Sequence, residues 1–253
     1  MKLDKLSQDD FIKVSNRLVR SLTRGKTISS KPKAILLGGQ SGAGKTTIHR
    51  IKQREFQGNI IVIDGDSYRS FHPNYLTLQE KYGKDSVNYT KVFAGQMVEY
   101  LVDELSKQGY HLLIEGTLRT TEVPRKTAQL LTTRDYQVSL ALIATKPELS
   151  YISTLIRYEE LYAIDPSQAR ATPKVHHDGI VEHLVDNLQE LEKDKLFSQI
   201  QIYQRDQSCV YDSQVDETSA TEVLHECLFG KWSKVEEEML KIGQERLREL
   251  GDN

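Results

Sequence analysis

Four short runs of this chain are almost continuously apolar: KAILLGG at 33–39, NIIVIDGD at 59–66, YHLLIEGT at 110–117 and QVSLALIAT at 137–145. Apolar runs without polar alternation predict strands covered on both faces, as in a parallel sheet. A fifth run, SQIQIYQRD at 198–206, alternates Gln199, Ile200, Gln201 and Ile202, which predicts a half-exposed edge strand. Helical spacing appears in the segments around these runs. Ser7 is placed to cap a helix carrying Phe11, Leu18, Val19 and Leu22. A second helix starts at Lys45. From Val87 to Gln108, Phe93, Met97, Val98, Leu101, Val102 and Leu105 form one apolar face, and Gly109 stops the helix. After Asp178, Val181, Leu184, Val185, Leu188 and Leu191 repeat the pattern. From Lys231 to Leu250 a charged segment keeps Val235, Met239, Leu240, Ile242 and Leu247 as a stripe, which either packs as a C-terminal helix or meets a partner. Strands alternating with helices predict a doubly wound α/β fold.

The first strand runs into Gly39-Gln40-Ser41-Gly42-Ala43-Gly44-Lys45-Thr46, a full G-x-x-x-x-G-K-[ST] match lying between a strand and a helix. The glycines let backbone N–H groups turn in around phosphate oxygens, and the helix start adds its positive dipole end. In this arrangement Lys45 reaches the β and γ phosphates and the Thr46 hydroxyl ligates Mg²⁺, with Thr47 next in line. The expected architecture is therefore a P-loop kinase-like three-layer sandwich, with a mostly parallel sheet, helices on both faces and a small lid. We read one domain over residues 1–253, with a core at 30–206, a lid at 157–171 and a C-terminal helical appendage at 215–253. Arg24 to Pro32 reads as a linker and Gln204 to Thr221 as a surface excursion.

A nucleotide loop alone admits a kinase, a switch or motor ATPase, or a non-catalytic regulator. What separates them is a set of groups for an acceptor. The second run ends in Asp64-Gly65-Asp66-Ser67, and strand periodicity points both carboxylates to one side at the carboxyl edge of the sheet, where α/β ligands bind. Asp66, the outer of the two, can take a proton from an acceptor hydroxyl; alternatively Asp64 serves magnesium and Asp66 caps the residues from Ser67 onward. The third run ends in Glu115-Gly116-Thr117-Leu118-Arg119, an acid, a hydroxyl and a guanidinium suited to a polar acceptor. The segment from Arg157 to Arg170 places two arginines about a breaker-containing stretch, as a lid closing over phosphates would, although either could pair with a surface carboxylate such as Glu159 or Glu160.

Composition narrows the classes further. A formal charge of −2 over 253 residues lacks the basic excess of a nucleic-acid binder. The basic residues between Arg119 and Arg134 are interleaved with Thr and Glu122 and read as a solvated face. His176-His177-Asp178 lacks the helical spacing of a zinc hydrolase. Cys209 and Cys227 read as reduced packing residues. No apolar stretch approaches the roughly 18 residues of a spanning helix and the N-terminal residues lack a signal-peptide pattern, so a cytoplasmic protein with no membrane partner is expected.

GGQSGAGKTT, IDGDSYR, IEGTLR and the Arg157/Arg170 segment, in that order, resemble the zeta toxins of epsilon/zeta toxin–antitoxin systems. The resemblance runs from the P-loop through the lid and weakens after about residue 190. It implies a toxin that uses ATP and Mg²⁺ to phosphorylate the 3′-hydroxyl of the sugar in UDP-N-acetylglucosamine, blocking peptidoglycan synthesis. On that resemblance Lys45 and Thr46 hold ATP and magnesium, and Asp66 is the base. Arg157 and Arg170 stabilise the transferring phosphoryl group, and Glu99, Glu115, Thr117 and Arg119 line the sugar-nucleotide site. Periodicity alone makes Glu99 a solvated helix residue. The family also implies a helical antitoxin that blocks the nucleotide site, in a heterotetramer of two toxins and two antitoxins. A kinase of another hydroxyl compound, such as a nucleoside or antibiotic, and a nucleotide-binding regulator remain the alternatives.

Overall fold

The computed structural model describes residues 3–166 and 169–251, so Ser167 and Gln168 of the expected lid lie outside the described residues, as do the ends of the 1–253 span. The first helix, α1 (Gln8–Thr23), begins where Ser7 Oγ accepts from the Asp10 amide at 3.1 Å. β1 (Lys33–Gly38) then leads into α2 (Lys45–Glu55). Next come β2 (Ile61–Ile63), the short α3 (Gly65–Tyr68), α4 (Tyr75–Tyr82) and the long α5 (Ser86–Gln108). Gly109 ends α5 at φ 83°, a left-handed position at which glycine carries no side-chain penalty.

β3 (Leu112–Glu115), α6 (Glu122–Thr132), β4 (Gln137–Ile143) and α7 (Pro147–Ile164) follow. The chain closes with α8 (Lys174–Lys193), β5 (Ile200–Tyr203), β6 (Cys209–Asp212), α9 (Ala220–Phe229) and α10 (Lys234–Gly251). α8 starts ahead of the expected Asp178, directly after Pro173, whose fixed φ suits a helix entrance.

The six strands form one sheet in the order β2-β3-β1-β4-β5-β6, parallel except for β6. Period-2 alternation divides β1 between two cores. Ala34 and Leu36 pack on the side of α1, α5 and α8 with Met97, Leu101, Leu105 and Leu184. Ile35 and Leu37 pack on the side of α2 with Ala43, Ile48, Ile143 and Tyr203. Helices therefore cover both faces of a mostly parallel sheet, as expected.

Two expectations need correction. The fifth run is not an edge strand: β5 lies between β4 and β6. Its polar alternation serves a cluster of buried and half-buried polar groups. Buried Lys52 of α2 donates to Gln201 Oε1 at 2.9 Å and to the Tyr203 hydroxyl at 3.0 Å, and Gln201 Nε2 donates to Asp212 Oδ2 at 2.9 Å. The stretch read as a surface excursion contains β6, entered through a turn in which the Gln204 amide donates to Ser208 O at 2.9 Å.

The charged C-terminal segment is α10, laid along α7. A Cβ at Gly243 would stand 3.3 Å from Ile152 Cγ2, and Arg246 pairs with Glu160 at 3.2 Å. The basic stretch from Arg119 contains α6, which buries Ala128 and Leu131 and ties Arg125 to Glu190 of α8 and to Asp194 at its C-terminal cap, at 2.6 and 2.8 Å. Cys209 and Cys227 are free thiols. No helix among the described residues is long and apolar enough to cross a membrane.

Candidate active site

β1 and α2 are joined by a loop whose backbone depends on its glycines. Gly39, Gly42 and Gly44 take φ values of 139°, 74° and 104°. At Gly42 a Cβ would stand 2.0 Å from Ser150 O, a backbone atom that cannot swing aside. The Gly42→Ala variant should therefore lose ATP binding by more than about ten-fold, because left-handed strain of roughly 1–2 kcal/mol adds to a backbone clash. Titration calorimetry with ATP checks this.

The loop is braced from outside. The buried Gln40 side chain donates through Nε2 to Thr145 O at 2.7 Å and to Ser150 Oγ at 3.2 Å. Thr145 Oγ1 donates to Ala43 O at 2.9 Å, Arg205 Nε donates to the same carbonyl at 3.2 Å, and Arg205 Nη2 donates to Gly42 O. Holding these carbonyls outward suits a phosphate-binding loop, since inward carbonyls would repel phosphate oxygens.

Ser150 Oγ also lies 2.8 Å from Nε2 of buried His177, whose Nδ1 is 3.1 Å from Asp178 Oδ1. The His-Asp segment thus braces α7, and no group of three or more potential metal ligands occurs among the described residues. Sequence reading missed Arg205, Thr145 and Ser150. Arg205 and Thr145 follow the ends of β5 and β4, so the carboxyl-edge rule applied to Asp64 and Glu115 would have marked them.

Lys45, at the head of α2, donates to Gly39 O at 3.1 Å and Gln40 O at 3.3 Å, and its Nζ is 3.7 Å from Glu115 Oε1. His49, one turn along α2, brings Nε2 to 2.8 Å from Glu115 Oε2. Glu115 is thereby a junction between the P-loop and the end of β3. Thr46 is exposed at the helix start, and Ser41 and Thr47 are half-buried beside it.

The reading of Asp64 and Asp66 as alternating strand residues is overturned. β2 ends at Ile63, and Asp66 lies in the first turn of α3. Asp64 is the cap: its Oδ1 accepts from the Asp66 amide at 3.0 Å and its Oδ2 from Ser67 Oγ at 2.6 Å. The two carboxylates have different jobs because only Asp64 has its oxygens turned to the helix start. Asp66 is left with a side chain 71% exposed, held on one oxygen by Arg69 Nε at 2.7 Å. Desolvation raises its pKa, but the Arg69 hydrogen bond and the charges of Arg69, Arg170 and Lys45 outweigh that, so it stays ionised below the usual carboxylate range.

Beside these groups a recess of about 670 Å³ opens between α5, the end of β3 and α6. It gathers Glu99, Glu115, Thr117 and Arg119, with Val98 and Pro124 among its apolar residues. Leu118, next to Thr117, is held at φ 57°, and its carbonyl accepts from Asn187 Nδ2 at 2.9 Å. Left-handed strain in a non-glycine residue concentrates where surrounding structure dictates the backbone, as at ligand sites. Arg119 Nη1 lies 3.4 Å from His176 Nδ1, and burial followed by the Arg119 charge lowers the pKa of His176.

The two lid arginines part company. Arg170 Nη1 donates to Asp66 O at 2.5 Å and Nη2 to the Tyr75 hydroxyl at 3.2 Å, while its buried Nε meets no hydrogen-bond partner among the described residues. Arg157 stands exposed on α7, and among the described residues no hydrogen bond or ion pair ties it to Asp66 or the P-loop.

A braced P-loop at the carboxyl edge of a parallel sheet, with a polar recess alongside, defines a phosphotransferase of the P-loop kinase class. The chain belongs to the zeta toxin family, whose sequence model matches residues 19–216. It is 67% identical over 250 residues to Toxin PezT of Streptococcus pneumoniae serotype 4, covering 99% of each chain. It is 44% identical over 201 residues to Toxin zeta of Streptococcus pyogenes, covering 78% of this chain and 70% of that one. A solved chain from the PezAT chromosomal toxin–antitoxin system of S. pneumoniae superposes with a TM-score of 0.92 at 63% identity, covering 100% of both. The AvrRxo1-ORF1:-ORF2 complex with ATP matches at a TM-score of 0.58 and 12% identity over 96% of this chain and 82% of that one, a likeness of fold alone.

Proposed function

We propose that this protein is the toxin of a bacterial toxin–antitoxin system and phosphorylates the 3′-hydroxyl of the sugar in UDP-N-acetylglucosamine with ATP and Mg²⁺, thereby blocking peptidoglycan synthesis. The observation that carries the reading is the convergence of Glu99, Glu115, Thr117 and Arg119 on one recess, joined through Glu115 to Lys45 of the P-loop. A recess lined by carboxylates, a hydroxyl and a guanidinium beside an apolar wall suits a sugar and base joined by a diphosphate. The toxin reading is further supported by membership of the zeta toxin family and by the relative solved from a toxin–antitoxin system.

In this reading residues 39–47 hold the triphosphate, with Lys45 on its β and γ phosphates. Asp66 takes the proton of the sugar hydroxyl as that oxygen attacks the γ-phosphorus. The bond to the bridging oxygen breaks, ADP leaves, and Arg157 and Arg170 balance the charge passing between them. Magnesium would be held by the exposed Thr46 hydroxyl together with phosphate oxygens, neutralising charge on the triphosphate; one protein hydroxyl at the start of α2 fits this small, water-retaining cation. Asp64, engaged as a cap, is the less suited donor. The partner is a helical antitoxin covering the nucleotide site, in a heterotetramer of two toxins and two antitoxins.

The experiment is mass spectrometry of a mixture of nucleotide sugars incubated with the protein, ATP and Mg²⁺. One phosphoryl group should appear on UDP-N-acetylglucosamine, and an unmodified sugar nucleotide would overturn the substrate. Glu99→Gln should raise the KM for the acceptor about ten-fold, the loss of one charge-assisted hydrogen bond, and leave the KM for ATP unchanged.

A further inference from the structure

We propose that Arg69 is a positioning residue for phosphoryl transfer, clamping the Asp66 carboxylate to the helix that lines the acceptor recess; this rests on the reading of Asp66 as the base. Asp66 belongs to a four-residue helix, too short to hold a side chain in place by itself, and its carboxylate is largely open to solvent. A base that must meet a hydroxyl within hydrogen-bond reach needs outside support.

Arg69 supplies it. Its side chain is 17% exposed and reaches in two directions: Nε donates to Asp66 Oδ1 at 2.7 Å, and Nη1 donates to Val87 O at 2.9 Å and to Thr90 Oγ1 at 3.1 Å. Thr90 is buried in α5 and itself donates to Ser86 O at 3.3 Å. α5 is anchored in the core by Phe93, Met97 and Leu101, and its next turns carry Val98 and Glu99 of the recess. At Gly65, beside Asp66, a Cβ would stand 3.1 Å from Val98 Cγ2, so α3 already lies close against that helix. The base and the acceptor recess are thus referenced to one rigid element.

Arg69 engages Oδ1, which leaves Oδ2 to receive the proton of the acceptor. The other charged groups that bear on Asp66 are Lys45 from α2, Arg170 from the segment after α7 and His176 from α8. Of Arg69 and these three groups, only Arg69 both hydrogen-bonds the carboxylate and is tied to α5.

The test compares Arg69→Met, Arg69→Lys and Asp66→Asn by steady-state kinetics across pH. Arg69→Met should lower kcat about 10- to 100-fold, the scale of a misplaced reacting group, with little change in KM. Removing the adjacent cation also makes the carboxylate easier to protonate, so the acid limb of kcat/KM should move to higher pH. Arg69→Lys, which keeps the charge, should hold the acid limb near its original position. An Arg69→Met enzyme with the parent kcat or an unmoved acid limb would overturn the proposal. Activity retained by Asp66→Asn would instead remove Asp66 as the base, a separate failure. Should Arg69→Met lack a cooperative melt, Thr90→Val tests the same clamp. It should lower kcat at constant KM, and an unchanged kcat would overturn the proposal.

Discussion

Replacing Asp66 by Asn is expected to lower kcat by about 10²- to 10⁴-fold, the range attached to a positioned general base, while ATP binds as before. Asn keeps the size of the side chain and can still accept from Arg69 through its amide oxygen, so α3 should fold unchanged. The lost property is proton acceptance. In the parent protein the carboxylate's pKa lies below its ordinary value: desolvation raises it, and the Arg69 hydrogen bond with the Arg69, Arg170 and Lys45 charges outweighs that. The acid limb of activity should therefore lie at lower pH than an unperturbed aspartate would set, falling as Asp66 takes a proton. A pH profile of kcat/KM, measured beside calorimetric ATP binding for the variant, checks both parts.

The second large effect is expected at Arg170. Substitution by Ala should reduce kcat by about 10³- to 10⁵-fold, the scale of an arginine that balances charge in phosphoryl transfer. Its guanidinium is bonded to Asp66 O and the Tyr75 hydroxyl, beside the carboxylate proposed as the base, and among the described residues its buried Nε has no acceptor. A charged N–H without a partner in a buried position is costly, and a phosphate oxygen is the acceptor that would satisfy it. The fall in kcat should exceed any rise in KM for ATP, because the interaction strengthens as charge develops on the transferring group. Single-turnover kinetics at saturating ATP measures it.

Much of the fold could be read from apolar runs because β1 to β4 are buried on both faces, and burial is what such runs record. β5 misled for a specific reason. Gln199 and Gln201 look like solvent-facing positions, but the chain supplies them with internal partners, Lys52 and Asp212, which lie far away in sequence or in a stretch with no apolar run of its own. β6 was hidden by its brevity and by the polar residues around it. The P-loop was legible because its requirements are local: three unusual φ values, a lysine and a helix start within eight residues.

Strand periodicity puts Asp66 on a strand, whereas α3 and the Asp64 cap hold it just beyond the end of β2. Glu99 was readable only from family resemblance, since one position on a 23-residue helix carries no local mark of the recess beside it. Arg69, Arg205 and His177 act through contacts with residues up to 163 positions away, which no spacing rule records.

The contact between Lys45 and Glu115 would let the two halves of the site influence each other without a moving domain. One ammonium group stands within reach of both the P-loop carbonyls and the acid of the neighbouring recess. On the proposed function, a triphosphate would compete for that ammonium and leave Glu115 to an incoming hydroxyl. Donor and acceptor affinities would then be linked through this shared counter-charge, and thermodynamics requires such an influence to run equally in both directions.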